Sequence, residues 1–180
     1  AGIKLCESLR TQYGFDAISL MPTNLYGPGD NYHPTNSHVM ASLIRRFYEA
    51  KIMNLSSVNC WGSGNPLREF MHSDDLGEAV VFALEKWNPN STTAPKNDSG
   101  KPLTYLNVGT GLDISIKELS QKIAFHVGFR GKILWDENMP DGTPKKRLDI
   151  KRILKLGWQP TIDLDTGIAM TMSSYNKQYE

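Results

Sequence analysis

Apolar residues at helical spacing begin the chain, and a short apolar run without that spacing follows them. The helical set has members three or four positions apart, namely Ile3, Cys6, Leu9 and Tyr13. Gly14 comes next and is typical of a residue that ends a helix. The apolar run at residues 16–21 stops at Pro22. The pattern therefore predicts a helix over 1–13 and then a buried parallel strand.

The same two patterns alternate through the rest of the chain. A second helix follows Asn36 and Ser37, either of which suits an N-cap, and His38 would lie in its first turn. Apolar runs at 57–61 and 67–71 flank a Gly-Ser-Gly-Asn-Pro turn and predict a β-hairpin. The other predicted elements are a helix at 73–87 capped by Asp74 and Asp75, a strand at 103–108, a helix at 114–127, a strand at 132–135, and helices near 150–156 and 164–179. This alternation favours an α/β fold.

Three polar segments separate these elements. Residues 88–101 have low hydrophobicity and predict an exposed, mobile loop without a site, and residues 140–147 predict a rigid basic loop. Residues 21–38 carry prolines, glycines, amides, hydroxyls and imidazoles directly after the first strand. Because ligands bind at the carboxyl ends of parallel strands, this loop predicts a ligand-binding platform.

The composition of the chain limits the classes of partner and the cellular location that are expected. The chain has 180 residues, 39% hydrophobic and 22% charged, with a formal net charge of +1, so neither nucleic acid nor an anionic membrane is indicated by charge. No apolar run reaches a membrane span, and no signal-peptide pattern occurs at the start. Cys6 and Cys60 are far apart in apolar contexts, which favours reduced thiols and a cytoplasmic protein.

Histidines and cationic side chains are the candidate functional residues. His33 and His38 lack the spacing of a metal site, so no metal is predicted. His72 precedes a helix cap and is expected to have a structural role. His38 suits either an acid or a packed side chain.

The cations Arg46, Arg68 and Lys146 follow Gly- or Pro-rich loops and suit a diphosphate, although solvated surface cations are the alternative. Trp61 either stacks on a ligand ring or packs in the core. The sequence Gly109-Thr110-Gly111 is either half of a phosphate loop or a tight turn, and no GxGxxG or Walker sequence occurs.

Eight motifs, in order over nearly the whole chain, carry a family resemblance. They are Met21-Pro-Thr-Asn-Leu-Tyr-Gly-Pro28, Asp30-Asn-Tyr-His-Pro34, Asn36-Ser-His38, Leu43-Ile-Arg-Arg-Phe47, Trp61-Gly-Ser-Gly64, Arg68-Glu-Phe70, Asn107-Val-Gly-Thr-Gly111 and Pro140-Asp-Gly-Thr-Pro144. The chain thereby resembles the GDP-L-fucose synthase family of extended short-chain dehydrogenases/reductases. The resemblance implies the C-terminal part of a Rossmann-type domain interleaved with a small α/β substrate-binding domain. It also implies NADPH-dependent epimerisation and reduction of GDP-4-keto-6-deoxy-D-mannose to GDP-L-fucose.

The resemblance implies a role for each matching residue. The NADP-binding set is Pro22, Thr23, Asn24, Leu25 and His38. His38 would also be the acid of the epimerisation, because a proton must be delivered to a carbon beside the ketone. The set that binds the GDP-sugar is Arg46, Trp61, Arg68, Asp141 and Lys146.

The resemblance also implies how the chain is divided. Residues 1–27 would be the remaining Rossmann helix and strand, 28–71 the first part of the substrate domain, 72–112 the return to the Rossmann domain, and 113–180 the second part of the substrate domain. The family's Gly-rich loop, catalytic Ser and Tyr-x-x-x-Lys pair match nothing here and would precede Ala1. We therefore expect a fragment, inactive alone, whose helix 1–13 forms a homodimer in the full-length enzyme.

Two alternatives stay open at the level of sequence. The first is another extended nucleotide-sugar epimerase or dehydratase, since the Pro-Thr-Asn-Leu-Tyr-Gly-Pro motif by itself fits that wider group. The second is a non-catalytic module that binds a nucleotide sugar.

Overall fold

The structure is a computed structural model that describes residues 1–179. Its elements are α1 (Gly2–Tyr13), β1 (Ser19–Pro22), β2 (Asn24–Tyr26), α2 (Val39–Ile52), β3 (Ser57–Trp61), β4 (Leu67–Arg68), β5 (Phe70–His72), α3 (Ser73–Lys86), β6 (Tyr105–Val108), β7 (Ile114–Ser115), α4 (Ile116–Val127), β8 (Lys132–Asp136), β9 (Lys145–Lys146), α5 (Lys151–Leu156) and α6 (Leu164–Tyr179). Helices alternate with short strands, most of them in parallel pairs, which confirms the predicted α/β fold.

Parallel pairing places the ends of distant strands side by side. β1 pairs with β6, β2 with β5, and β3 with β8, all in parallel. β4 lies between antiparallel β7 and parallel β9. In the first pair Pro22 is opposite Val108, so the segment after β1 and the Gly-Thr-Gly turn after β6 leave the sheet at the same edge.

The first helix is confirmed, and the polar loop after the first strand contains more structure than its sequence indicates. Gly14 ends α1 with a positive φ of 66° and donates its N–H to the carbonyl of Arg10. β1 begins only at Ser19, and the predicted loop at 21–38 includes β2. The loop proper is therefore the segment between β2 and α2.

The predicted hairpin is wrong: its first strand exists as β3, whereas the predicted strand at 67–71 is divided at Glu69 into β4 and β5. β3 pairs with β8, and β4 pairs with β7 and β9, so the two strands do not pair with each other. Val58 and Cys60 are buried on one face of β3, and β8 pairs with the edge of β3 in parallel. The turn serves another purpose, because Gly64 at φ 75° leaves room for the ring of Trp135 from β8.

The predicted N-caps of two helices differ from the structure. The N-cap of α2 is His38 itself, and no side chain caps that helix, so neither Asn36 nor Ser37 does so. The N-cap of α3 is the buried His72, whose Nδ1 accepts from the N–H of Asp74. Asp75 caps nothing, because it is turned inward and buried.

Two hydrophobic clusters form the core, and β5 contributes to both. The first cluster is built on α2, β3, α4 and α6 around the fully buried Phe47. The second is built on α3, β6 and α5 and includes Trp158. Phe70 belongs to the first cluster and Met71 to the second, because consecutive strand residues face opposite sides. The predicted domain division, at 1–27, 28–71, 72–112 and 113–180, stays a prediction.

The segment at 88–101 is largely exposed, as predicted, but it has contacts of its own. Ala94 is buried, and Lys96 forms an isolated bridge with Pro102. The Asn97 side chain accepts from the backbone N–H groups of Ser99 and Lys101. Its mobility stays a prediction.

Candidate functional site

A cavity of about 520 Å³ opens between the end of β1, the start of α2 and the loops that follow β3 and β8. Seven of the residues predicted to form a site line it: Thr23, Asn24, Leu25, His38, Trp61, Arg68 and Asp141. These residues come from five separate stretches of the chain. The size and mixed lining are typical of a site for a small organic ligand.

The backbone of Glu69 fixes the segment that follows β1. The Glu69 carbonyl accepts from Thr23 Oγ1 at 3.2 Å and from Asn24 Nδ2 at 2.7 Å. The N–H of Thr23 donates to the carbonyl of Val108 at 3.0 Å. Thr23 and Asn24 are therefore held in fixed positions in the cavity wall.

The side chain of Glu69 decides between the two interpretations of the Gly-Thr-Gly sequence. Glu69 is fully buried, and its carboxylate accepts at 2.7 Å from the N–H groups of Gly111 and Leu148. A Cβ at Gly109 would collide with Glu69 Oε1. An internal carboxylate thus occupies the donors that a phosphate would need. The sequence is a tight turn around Glu69, and its interpretation as half of a phosphate loop is wrong.

Arg68 brings a positive charge to the cavity. Its Nη1 donates to the carbonyls of Leu67 at 2.8 Å and Thr143 at 2.5 Å. Gly142 has no side chain to displace Nη2, which lies 2.8 Å from where a Cβ would be. Since a guanidinium has five N–H donors, these two bonds position it and leave donors for an anion.

Asp141 is held in the cavity wall by two hydrogen bonds from Ser63. Its Oδ1 accepts from the Ser63 N–H at 2.9 Å and its Oδ2 from Ser63 Oγ at 2.6 Å. The side-chain bond, followed by the backbone bond, lowers the pKa of Asp141 below its ordinary value. Gly62, at φ 74°, leaves the space that the Asp141 carboxylate fills.

Trp61 and His38 face the cavity with exposed rings. Trp61 is 69% exposed at the end of β3, so its ring does not pack in the core. His38 is exposed at the start of α2, and packing is not its role. Both rings are accessible to a ligand.

Three predicted site residues do not line the cavity. Arg46 donates from Nη2 to the carbonyl of Asn59 on β3. Lys146 is exposed on β9, opposite Arg68 in the β4–β9 pairing. Pro22 is exposed at the last position of β1.

Within residues 1–179, no group of three or more His, Cys, Asp or Glu side chains is placed to hold a metal ion. His33 is exposed, and its Nδ1 accepts from the N–H of Thr35. None of the helices in the described part of the chain combines the length and apolarity needed to cross a membrane.

Several residues that build the site were not predicted. Glu69 and Ser63 position predicted residues, and the unpredicted lining consists of Val39, Met40, Gly64, Pro66, Phe70, Ile116, Pro140 and Gly142. Glu69 had one usable signal, since a carboxylate within an apolar strand-like run needs buried donors. Ser63 had none, because its partner is 78 positions away.

The chain is similar to known nucleotide-sugar enzymes over almost its whole length. It is 50% identical over 175 residues to the probable GDP-L-fucose synthase 1 of Oryza sativa subsp. japonica, covering 97% of this chain and 49% of that protein. It is also 50% identical over 175 residues to GDP-L-fucose synthase of Escherichia coli (strain K12), covering 95% of this chain and 52% of that protein. The chain thus spans about half the length of these relatives.

A solved structure agrees with these relatives. A GDP-mannoheptose C4 reductase from Campylobacter jejuni with NADP bound has 30% sequence identity and a TM-score of 0.79, covering 97% of this chain and 57% of that chain. The resemblance inferred from the motifs is confirmed. The family model described as the NAD dependent epimerase/dehydratase family matches residues 1–94, more than half of the 180 residues. The chain therefore belongs to the NAD dependent epimerase/dehydratase family.

Proposed function

We propose that this chain is the GDP-sugar-binding portion of an NADP-dependent GDP-L-fucose synthase, which epimerises and reduces GDP-4-keto-6-deoxy-D-mannose. One observation carries the proposal: a single cavity brings the Thr23–Leu25 segment and His38 together with Trp61, Arg68 and Asp141. A cofactor ring and a nucleotide sugar must meet in such a space if a hydride is to pass between them. The relatives named GDP-L-fucose synthase support this substrate class.

The residues at the end of β1 fit the nicotinamide portion of NADP. Thr23 and Asn24 offer polar groups already fixed by Glu69, while Leu25 and Val39 offer apolar surface for a ring. When bound, NADPH supplies the hydride for the reduction. The chain's own residues would hold the ring and exclude water around it. Pro22 would contribute through its backbone at the last position of β1.

A second group of lining residues fits a nucleoside diphosphate. The Arg68 guanidinium retains donors for phosphate oxygens, and the exposed Trp61 ring offers a flat surface for a base or sugar. Asp141, held by Ser63, offers carboxylate oxygens to hydroxyl or N–H donors. Arg46 and Lys146 would join this set only after their side chains leave the present positions.

His38 would deliver a proton to the sugar carbon beside the ketone. Epimerisation removes a proton from one face of that carbon and returns one to the opposite face. The imidazole is the side chain best suited to proton transfer in the neutral range. In a complete enzyme that contains this segment, His38→Ala should reduce solvent deuterium incorporation at the sugar carbons more than it weakens NADPH binding. Equal incorporation in variant and parent would remove the acid role.

Nucleotide binding by the chain itself tests the substrate site. We expect GDP to quench Trp61 fluorescence, and Trp61→Phe to remove that change. Arg68→Ala should weaken GDP binding about 10- to 100-fold, as expected for a charged hydrogen bond of about 1.5 to 3 kcal/mol. Arg130→Ala, on an exposed arginine outside the cavity, is the matched control.

The alternatives give different results in this titration and in an assay of NADPH consumption. Equal affinity for UDP and GDP would favour another extended epimerase. GDP binding together with failure of NADPH consumption in a complete enzyme would favour a binding module. Absence of GDP binding would overturn the proposal.

We further propose a homodimer formed through α1 and a cytoplasmic location. Among the described residues α1 has no buried member, and its Leu5 and Tyr13 are 60% and 76% exposed. Leu5→Glu should therefore lower the mass of the assembly in sedimentation experiments on a complete enzyme, whereas Lys4→Glu should not. The cytoplasmic location rests on the free thiols Cys6 and Cys60, and cell fractionation tests it.

A further inference from the structure

Glu69 separates β4 from β5 and lies between two residues that line the cavity, Arg68 and Phe70. Its side chain is fully buried and does not line the cavity itself. Oε1 accepts from the Gly111 N–H and Oε2 from the Leu148 N–H, both at 2.7 Å. Such charge-assisted hydrogen bonds are strong, and a buried carboxylate needs them. The two bonds therefore hold two distant segments of the chain against the junction of β4 and β5.

The second of these bonds continues a strand pairing that is very short. β9 and β4 pair in parallel over two residues each. At the start of the pairing, the Leu67 N–H donates to the Pro144 carbonyl at 2.8 Å. The Glu69 bond follows after its end, in place of a further backbone carbonyl. An ion pair of Lys145 with Asp113 also reaches β9, but Lys145 is half exposed and such pairs contribute little. The position of β9 therefore depends on the Glu69 carboxylate.

The segment that ends in β9 holds the Arg68 guanidinium. Arg68 Nη1 donates to the carbonyl of Thr143, two residues before β9. Arg68 Nη2 lies where a Cβ at Gly142 would approach it to 2.8 Å. A displacement of β9 would therefore move the acceptor that orients the guanidinium, together with Asp141 of the cavity wall.

We propose that Glu69 is a positioning residue that orients the Arg68 guanidinium toward the phosphate groups of the ligand. It does so by holding Leu148, and with it β9 and the Thr143 carbonyl, beside β4. The inference rests on the proposed function, in which Arg68 binds the diphosphate of a GDP-sugar.

The side chain and the backbone of Glu69 act on different groups of lining residues. The Glu69 carbonyl, not the carboxylate, accepts from Thr23 and Asn24. A side-chain substitution keeps those two bonds. In a complete enzyme that contains this segment, Glu69→Gln should therefore raise the KM for the GDP-sugar more than the KM for NADPH. Equal increases in the two KM values would contradict a role through Arg68.

A double-mutant cycle on the GDP affinity of the chain tests the role directly. Glu69→Gln should weaken GDP binding about 3- to 10-fold, the effect of about one hydrogen bond. In the Arg68→Ala background, the same substitution should weaken it by less than about twofold, because the guanidinium is already absent. The exposed Glu85→Gln is the matched control and should change neither affinity. Equal weakening by Glu69→Gln in both backgrounds would indicate general damage to the fold and would overturn the inference.

Gly109→Ala keeps the test decisive if Glu69→Gln fails to fold. Its Cβ would collide with Glu69 Oε1, so the carboxylate must move although its charge remains. Because the two carboxylate oxygens move together, this variant should also weaken GDP binding, and again only when Arg68 is present. Gly77→Ala is the matched control, since a Cβ there meets nothing within 4 Å. An unchanged GDP affinity in Gly109→Ala would show that the carboxylate does not position Arg68.

A measurement without ligand separates this inference from the proposed function. Nitrogen NMR follows rotation of the Arg68 guanidinium about its Nε–Cζ bond, which the Thr143 bond slows. Glu69→Gln should speed this rotation about threefold or more, while that of the exposed Arg130 should not change. Faster rotation in a chain that does not bind GDP would keep the positioning role and remove the proposed ligand. Unchanged rotation, together with GDP binding that requires Arg68, would remove this inference alone.

Discussion

Two buried carboxylates connect parts of the chain that are distant in sequence. Glu69 is 0% exposed and accepts from Gly111 and Leu148, while Asp75 is 1% exposed and accepts from the N–H and hydroxyl of Thr161. No local spacing connects such partners, so sequence patterns assigned Asp75 to a cap and assigned Glu69 no role. At the scale of single residues, these two groups hold together loops that are distant in the sequence.

Glu69→Gln should destabilise the protein. The amide of Gln can accept only one of the two backbone N–H bonds, because its other end is a donor that would face the second N–H. We expect the free energy of unfolding to fall by about 1 to 3 kcal/mol in urea denaturation. The exposed Glu85→Gln is the matched control and should change it by less than about 0.5 kcal/mol. An equal effect of the two would contradict the assigned role.

Ser63→Ala should raise the pKa of Asp141 toward its ordinary value, because both of its pKa-lowering hydrogen bonds come from Ser63 and the variant loses the hydroxyl. Because the folded-state pKa of Asp141 is lowered, its hydrogen bonds with Ser63 stabilise the fold at pH values above the unfolded-state pKa of about 3.9. That contribution is lost as the pH falls through the folded-state pKa. Carboxyl NMR titration measures the shift, with Ser56→Ala as control. An unchanged Asp141 pKa would mean that the side-chain bond is not formed in solution.

At the scale of elements, local signals predicted helices better than strand partners. α1, with Gly14 at its end, follows directly from apolar spacing and a positive-φ residue. β3 was predicted at its full length, but its partner β8 begins 71 positions after Trp61, at Lys132. A strand's own residues specify which of its faces is buried, but they do not specify which other strand pairs with it. The same limit applies to β4 and β7, where only two residues pair.

A capping box makes the start of α4 a sharp test of local stabilisation. Ser115 Oγ accepts from the N–H of Glu118, and Glu118 Oε2 accepts from the N–H of Ser115, both at 3.1 Å. Ser115→Ala should therefore lower the free energy of unfolding by about 1 kcal/mol. Ser173→Ala, at an exposed position inside α6, should be neutral or slightly stabilising, because Ala is the better helix former. An unchanged free energy of unfolding in Ser115→Ala would indicate that the capping bonds contribute nothing.

At the scale of the whole molecule, the shared strand β5 couples the two hydrophobic clusters. Phe47→Ala removes a fully buried ring from the first cluster and should cost about 3 to 5 kcal/mol. Because Phe70 and Met71 of β5 join the clusters, Trp158 in the second cluster should unfold at the same lowered denaturant concentration. Fluorine NMR of labelled tryptophans follows each cluster separately. The 82% exposed Phe125→Ala is the control. A Trp158 transition that does not move would show that the clusters unfold independently.

The sequence by itself determined the α/β alternation, most helices, the family and seven residues of the cavity wall, because these depend on spacing and motifs within short segments. Only the tertiary structure decided which strands pair, that Glu69 occupies the Gly-Thr-Gly turn, that Ser63 holds Asp141, and that Arg46 and Lys146 lie outside the cavity. Those features depend on groups between 13 and 79 positions apart. Their contact is set by how the whole chain packs, and no local pattern encodes it.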